Sequence, residues 1–331
     1  MHIFKDTNFD FLRWRWHAIV LSALIIIGGV GMIATTGIRK GVEFAGGTVV
    51  IEQFDQAVSI QQVRSALEKS FGQDISIQTF GDPSQRQVMI RVPQVGAESG
   101  ASLGTTADAI EAALKLANLG NFRRQGTEIV GPAVGRELTT KGIWATVLSL
   151  AGILAYISFR FQLSFAIGAV VATVHDLLVT LAFLSFFGYD LTLNVIAALL
   201  TITGFSTNDT IVIFDRVREN LRGMRRDSLD TIINVAINQT LGRTIITSGT
   251  ALLSALALFF FGGDVLHGFA FTMVVGIITG TYSTVFIAAA IVSFWRGTTT
   301  RAASHAPAPA SAAAPQQPQR KPKPQRKARA S

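Results

Sequence analysis

Val195–Asn220 reads VIAALLTITGFSTNDTIVIFDRVREN, and its reading decides the fold. It begins as a membrane span and ends in charge. Most of it is apolar enough for lipid, yet Thr201, Thr203, Ser206, Thr207, Asn208, Asp209 and Thr210 crowd its second half. An aspartate at the bilayer centre costs about 2.5 kcal/mol or more, so such residues face a protein interior or a water-filled path. Asp209 is therefore the first functional suspect. The alternative is an acid near the helix end that reaches the interface, about two turns from Asp215.

The stretches around it follow the same pattern. Apolar segments at about 18–38, 143–159, 163–187, 191–214, 244–262 and 267–295 each reach or approach the ~20 residues needed to cross a bilayer. The expected fold is thus an α-helical membrane protein with six transmembrane helices. The first run is too long for a signal-peptide core and lacks a convincing cleavage site, so it reads as a retained anchor. Gly28, Gly29 and Gly31 suit it to close helix packing, as Gly276 and Gly280 do the last span. The turns at 160–162 and 188–190 are short, so the spans that they join are antiparallel hairpins.

Residues 39–141 form the one long soluble stretch, with eleven basic and eleven acidic residues. Gly46–Phe54 reads as a strand. Ser59–Lys69 reads as a helix with Ile60, Val63, Ala66 and Leu67 inward. Asp74–Phe80 and Gln87–Val92 alternate as strands about a GDPSQ turn. Thr105–Ala117 is a second helix with Ile110, Ala113, Leu114 and Ala117 inward, and Phe122–Val130 a last strand. The order βαββαβ predicts an α+β ferredoxin-like domain between the first and second transmembrane helices. No catalytic constellation appears in it.

Charge sets the expected topology. Residues 215–243 hold six arginines against four acids, and 296–331 hold eight Lys/Arg and no acid. With the head at 1–17 and Arg160, these fall on one side if the spans alternate. The positive-inside rule then places both termini in the cytoplasm and the neutral domain outside. Within the cytoplasmic loop at 215–243, DSLDTIINVAIN (Asp227–Asn238) reads as a surface helix with Leu229, Ile232, Ile233 and Ala236 on its apolar face. The tail at 296–331, Ala/Pro-rich and then basic, reads as disordered.

Three charges lie in or at the edge of spans: Asp176, Asp209 and Arg243. Asp176 follows His175 about 13 residues into the third span, ~20 Å deep at 1.5 Å per residue. Arg243 opens the fifth span, where a pair with Asp209 would lower the cost of burying both. For Arg243 the alternative is snorkelling to the interface; for Asp176 it is a hydrogen bond to a neighbouring helix. His175 is a candidate relay member or a packing residue. The sequence has no cysteine and no metal-ligand spacing among its five histidines. It has no Walker motif and no strand–glycine loop–helix unit, so no nucleotide site, enzyme chemistry or cofactor is expected. Energy for any work must come from a partner or an ion gradient.

Five stretches carry a resemblance: GVEFAGG (Gly41–Gly47), IVGPAVGREL (Ile129–Leu138), AIGAVVATVHDLLVT (Ala166–Thr180), GFSTNDTIVIFDRVREN (Gly204–Asn220) and NQTLGRTIITSGT (Asn238–Thr250). Together they resemble SecF, the family of the smaller subunit of the bacterial SecD–SecF protein-export complex, in the resistance-nodulation-division superfamily. The resemblance implies an inner-membrane protein that pairs with SecD and couples inward proton flow to movement of outer domains. That movement would help draw preprotein from the SecYEG channel after SecA has pushed; YajC and YidC are further implied partners, and nucleic acid is not. By position, Asp209 matches the family's proton-pathway aspartate and Arg243 its essential arginine. Asp176 is a relay or structural companion, with Asn208, Thr207 and His175 as supporting polar residues. Gly46 and Gly47 would form a hinge to the outer domain. Glu43 stands where the family usually has Asp, and Phe205 where it usually has Tyr. A proton-coupled small-molecule or lipid exporter of the same superfamily, and a non-transporting scaffold, are the competing readings.

Overall fold

The computed structural model describes residues 7–72, 75–81, 83–93, 100–161 and 163–295. The basic tail, the first six residues and part of the GDPSQ turn lie outside these. Six helices are long and apolar enough to cross a membrane. They are α1 (Arg15–Thr36), α5 (Pro132–Arg160), α6 (Leu163–Phe187), α7 (Leu193–Gly223), α8 (Leu229–Phe261) and α9 (Gly263–Ser283). The last continues through a π-turn at Thr284–Ala288 to Trp295. Between α1 and α5 come α2 (Val42–Ala45), β1 (Gly47–Phe54), α3 (Ile60–Phe71), β2 (Ser76–Phe80), β3 (Gln87–Pro93), α4 (Gly100–Leu116) and β4 (Phe122–Val130).

The four strands form one antiparallel sheet in the order β2-β3-β1-β4. Period-2 alternation sends Val50 and Phe54 of β1, and Val88, Ile90 and Val92 of β3, to the face covered by the helices. There they meet Val63 and Leu67 of α3 and Ala107, Ile110 and Leu114 of α4, all buried. Ser59 and Gln62 start α3 with a reciprocal capping box. Ala117 was expected inward but is exposed, because α4 ends one residue before it.

Glu52 sits in the inward register between Val50 and Phe54. It is fully buried, and neither carboxylate oxygen has a hydrogen-bonding partner among the described residues. A register shift between Ile51 and Glu52 bulges β4 there, setting Arg124 opposite Glu52. Arg124, however, is engaged by Glu111 and Asp108. Burial, reinforced by the like charge of Glu111 and opposed by Arg124 and Lys115, lifts the Glu52 pKa from 4.5 to about 7. A raised acid pKa stabilises the fold fully below the unfolded value and less as pH rises through the folded one. Protection factors of the β1 and β4 amides in the intact protein should therefore fall about tenfold or more between about pH 5 and about pH 9. The fall should be absent in Glu52→Gln; equal pH dependence in both proteins refutes the assignment.

The helical bundle packs through its small residues. At Gly29 of α1 there is no room for a Cβ against Ala182 of α6, and at Gly276 of α9 none against Ile202 of α7. Gly280 lies against Ser206 in the same α7–α9 seam, whereas Gly31 faces open space.

The stretch 227–238 differs most from expectation. It is no separate surface helix but the opening of α8, which runs unbroken from Leu229 to Phe261. Ile232, Ile233, Ala236 and Ile237 are buried with Leu12, Phe165, Phe214, Val217 and Val292, so their apolar face turns to protein rather than to a lipid surface. The amides of Asn234 and Asn238, one turn apart, grip the amino-terminal head. Asn238 Oδ1 accepts from the Phe9 N–H at 2.9 Å, its Nδ2 donates to the Phe9 carbonyl at 2.8 Å, and Asn234 Oδ1 accepts from the Phe11 N–H at 2.9 Å. Arg15 pairs with Asp230 at 3.1 Å. Only Met224–Ser228 is left to separate α7 from α8.

Candidate functional site

Because α7 extends to Gly223, Asp209 lies near mid-helix rather than near its end. It is buried, and its Oδ1 accepts a 2.8 Å hydrogen bond from Thr244 Oγ1 of α8. Its Oδ2 is equally buried and has no hydrogen-bonding partner among the described residues. One turn beyond Thr244, Ser248 presents a second buried oxygen without a partner on α8.

The expected Asp209–Arg243 ion pair is not formed within 4 Å. Arg243 is exposed, since one residue along a helix turns a side chain by about 100°. That rotation brings Thr244, not Arg243, onto the α7 face. Asn208 is likewise exposed, turned by the same step away from Asp209. Thr207 is buried, donating to the Thr203 carbonyl at 2.7 Å and lying 3.4 Å from Thr173 Oγ1 of α6.

Asp176 has the opposite environment from Asp209. It is 1% exposed, and both of its oxygens are used. Oδ2 accepts from Ser206 of α7 at 2.5 Å and from Ser283 of α9 at 2.8 Å. Oδ1 meets His175 Nδ1 at 3.0 Å. One carboxylate thus ties α6, α7 and α9 together. His175 Nε2 is buried without a partner among the described residues. It lines a cavity of about 260 Å³ between α1, α6 and α9, bounded by Leu21, Ser22, Val179 and Tyr282. Immediately after Ser283 comes the π-turn, whose first residue, Thr284, lies 3.2 Å from Thr210 of α7. A π-turn beside a buried carboxylate is a frequent mark of a functional site.

The site therefore has two acids with different capacities. Asp176 has both oxygens engaged by neighbouring side chains and is suited to hold three helices in place. Asp209 keeps one oxygen uncommitted, and a charged carboxylate oxygen buried without a donor is unstable unless it gains a proton or a partner. Ser283 and Thr244 went unmarked as partners in the sequence. Their only signal was a small hydroxyl residue, three positions after Gly280 in one case and next to Arg243 in the other.

Gly46, between α2 and β1, and Gly47, the first residue of β1, both take positive φ, 74° and 134°. A side chain is strained in that region. They form a kinked entry to the sheet just after α2, where Phe44 packs so closely on Gly135 of α5 that a Cβ would not fit.

Residues 109–298 match the family model described as protein export membrane protein SecD/SecF, C-terminal. A protein translocase subunit SecF from Desulfurispirillum indicum is 42% identical over 289 residues, covering 86% of this chain and 91% of its own length. The SecF subunit of Escherichia coli O157:H7 is 38% identical over 287 residues, covering 86% of each. A crystal structure of SecDF from Thermus thermophilus, described as a translocon-associated membrane protein, superposes with a TM-score of 0.77 at 32% identity. That match covers 88% of this chain and 39% of the longer SecDF chain.

Proposed function

Because the chain belongs to the SecF family of protein translocase subunits, a family of multi-pass membrane proteins, we propose that it works with SecD as a proton-driven aid to preprotein export through SecYEG. The carrying observation is the uncommitted Oδ2 of Asp209 beside an Asp176 with both oxygens engaged. Asp209 takes and releases the proton. When Asp209 is charged, its bond from Thr244 is charge-assisted and holds α8 to α7; protonation weakens that bond. Asp176 keeps α6, α7 and α9 pinned throughout, so the pinned block and α8 shift against each other. Arg243 faces outward from α8, where SecD or a lipid head group can meet it.

The β2-β3-β1-β4 order with two helices on one face supports reading residues 39–141 as a ferredoxin-like domain. The arginine-rich stretches near the α7–α8 turn support placing that turn and both termini in the cytoplasm and the sheet on the other side. The SecD partnership is supported by the SecDF likeness and by the broad apolar faces that α5 and α8 leave exposed, including Trp144, Phe159, Leu253 and Phe260. Gly46 and Gly47 would then be the hinge through which the outer domain swings.

The test is preprotein translocation into inverted membrane vesicles containing this chain and its SecD partner, with SecA and ATP saturating. An imposed proton gradient should raise translocation by about twofold or more. No increment with native protein rules out the proton-driven reading.

A further inference from the structure

The outer domain is joined covalently to α1 through α2 and to α5 through Gly131. Neither α1 nor α5 carries Asp176 or Asp209. A route from the acid-bearing helices to the sheet passes either through α1 and α5, which pack on α6, or through a direct contact between them. Such a contact exists at the turn between α6 and α7.

Arg91, on β3, forms an ion pair with Asp190 of that turn, their side chains only 13% and 17% exposed. Among the described residues it is the only ion pair between the sheet domain and the bundle. The chain leaving α1 grips the same turn. Leu191 donates its N–H to the Arg39 carbonyl at 2.8 Å, Gly41 donates to the Leu191 carbonyl at 2.7 Å, and the Arg39 guanidinium reaches the Gly188 carbonyl at 3.3 Å. The sheet also meets α2, which contacts β1, β3 and β4, with Phe44 and Val49 buried. A cleft of about 380 Å³ separates Val49, Ile51 and Met89 from Tyr189 and His267. The ion pair thus adds a direct charge contact between the sheet and the hairpin that bears the acids.

We propose that the Arg91–Asp190 pair transmits movement from the α6–α7 hairpin to the outer domain. The hairpin carries Asp176 on one arm and Asp209 on the other, and its turn ends at Thr192, which caps α7. A helix is stiff along its axis, so a shift of the hairpin arrives at Asp190 undiminished. Arg91 and Asp190 are positioning residues; neither takes the proton. Their partial burial makes the pair costly to break from one side, because the partner left behind is an uncompensated charge.

The inference rests on the proton-driven reading, and one vesicle experiment tests both. Arg91→Gln and Asp190→Asn should each co-purify with SecD at native levels and keep the ATP-driven baseline. Each should cut the gradient-dependent increment about fivefold or more. The chain has no cysteine, so Arg91→Cys with Asp190→Cys can be bridged by a short bis-maleimide. The double variant should be uncoupled before bridging and recover the increment after it. If the single variants assemble and keep the full increment, or if bridging goes to completion without recovery, the transmission role is wrong. If the native chain itself shows no increment in the same vesicles, the proton-driven reading falls instead.

Discussion

Asp209→Asn should abolish the gradient-dependent part of translocation and leave the part driven by ATP and SecA intact. Asparagine keeps the size of the side chain and an oxygen for Thr244 Oγ1 to donate to, 2.8 Å away in the native protein. Packing of α7 on α8 is thus preserved. What the amide cannot do is take up and release a proton. In vesicles with saturating ATP the expected loss is the whole increment, about tenfold or more relative to native, with co-purification of SecD unchanged. Asp209→Glu separates charge from position. Its extra methylene moves the carboxylate within a tight α7–α8 contact, so partial activity means charge suffices, and none means that the Thr244 geometry is required. An Asp209→Asn complex that responds to the gradient like the native one removes Asp209 from the energy-coupling path and favours a scaffold role.

The second large effect is on stability. Asp176→Ala should destabilise the bundle by about 3–5 kcal/mol, because one buried carboxylate satisfies donors from three helices. Without it Ser206 of α7 loses its carboxylate acceptor, and His175 loses the partner of Nδ1. Ser283 retains only its 3.1 Å bond to the Gly280 carbonyl. The measurement is thermal unfolding in detergent, together with co-purification of SecD. Asp176→Asn is the informative companion. Serine hydroxyls rotate to donate or accept, so an amide can be accommodated among them. If Asp176 is an anchor, the Asn variant keeps most of the stability and the gradient response. A variant that melts like native but loses the response would instead make Asp176 a proton carrier.

These expectations show which parts of the molecule were legible in the sequence. The six spans were, because hydropathy is local and each run is long enough by itself. The strands and helices of 39–141 were, because the periods 2 and 3.6 are also local; Phe122–Val130 forms a strand with the bounds read from its alternation. The start of α8 was misread for a physical reason. DSLDTIINVAIN has the pattern of an interfacial helix, and a pattern reports an apolar face without saying whether lipid or protein covers it. Here Leu12, Phe214 and Val292 do. Asp176 and Asp209 were both identifiable as suspects, since a charge inside an apolar run is visible at once. Their different environments were not, because Ser206 and Ser283 lie 30 and 107 positions from Asp176. Arg243 drew attention through its charge, while the adjacent hydroxyl makes the contact. Glu52 could have been found: strand alternation already puts it in register with Val50 and Phe54.

The π-turn at Thr284–Ala288 has a bearing on how the last span behaves. One extra residue in a helical turn is to a helix what a dislocation is to a crystal. It offsets everything beyond it by about 100° around the axis without interrupting the rod. The part before it presents Gly276 and Gly280 to α7, while Val285 and Ala288 within it and Val292 beyond it face the core shared with α6 and α8. The two parts are therefore clocked independently, and a defect of this kind can glide by exchanging one hydrogen bond at a time. The last span thus meets α7 and the shared core with faces set in different registers along one continuous rod.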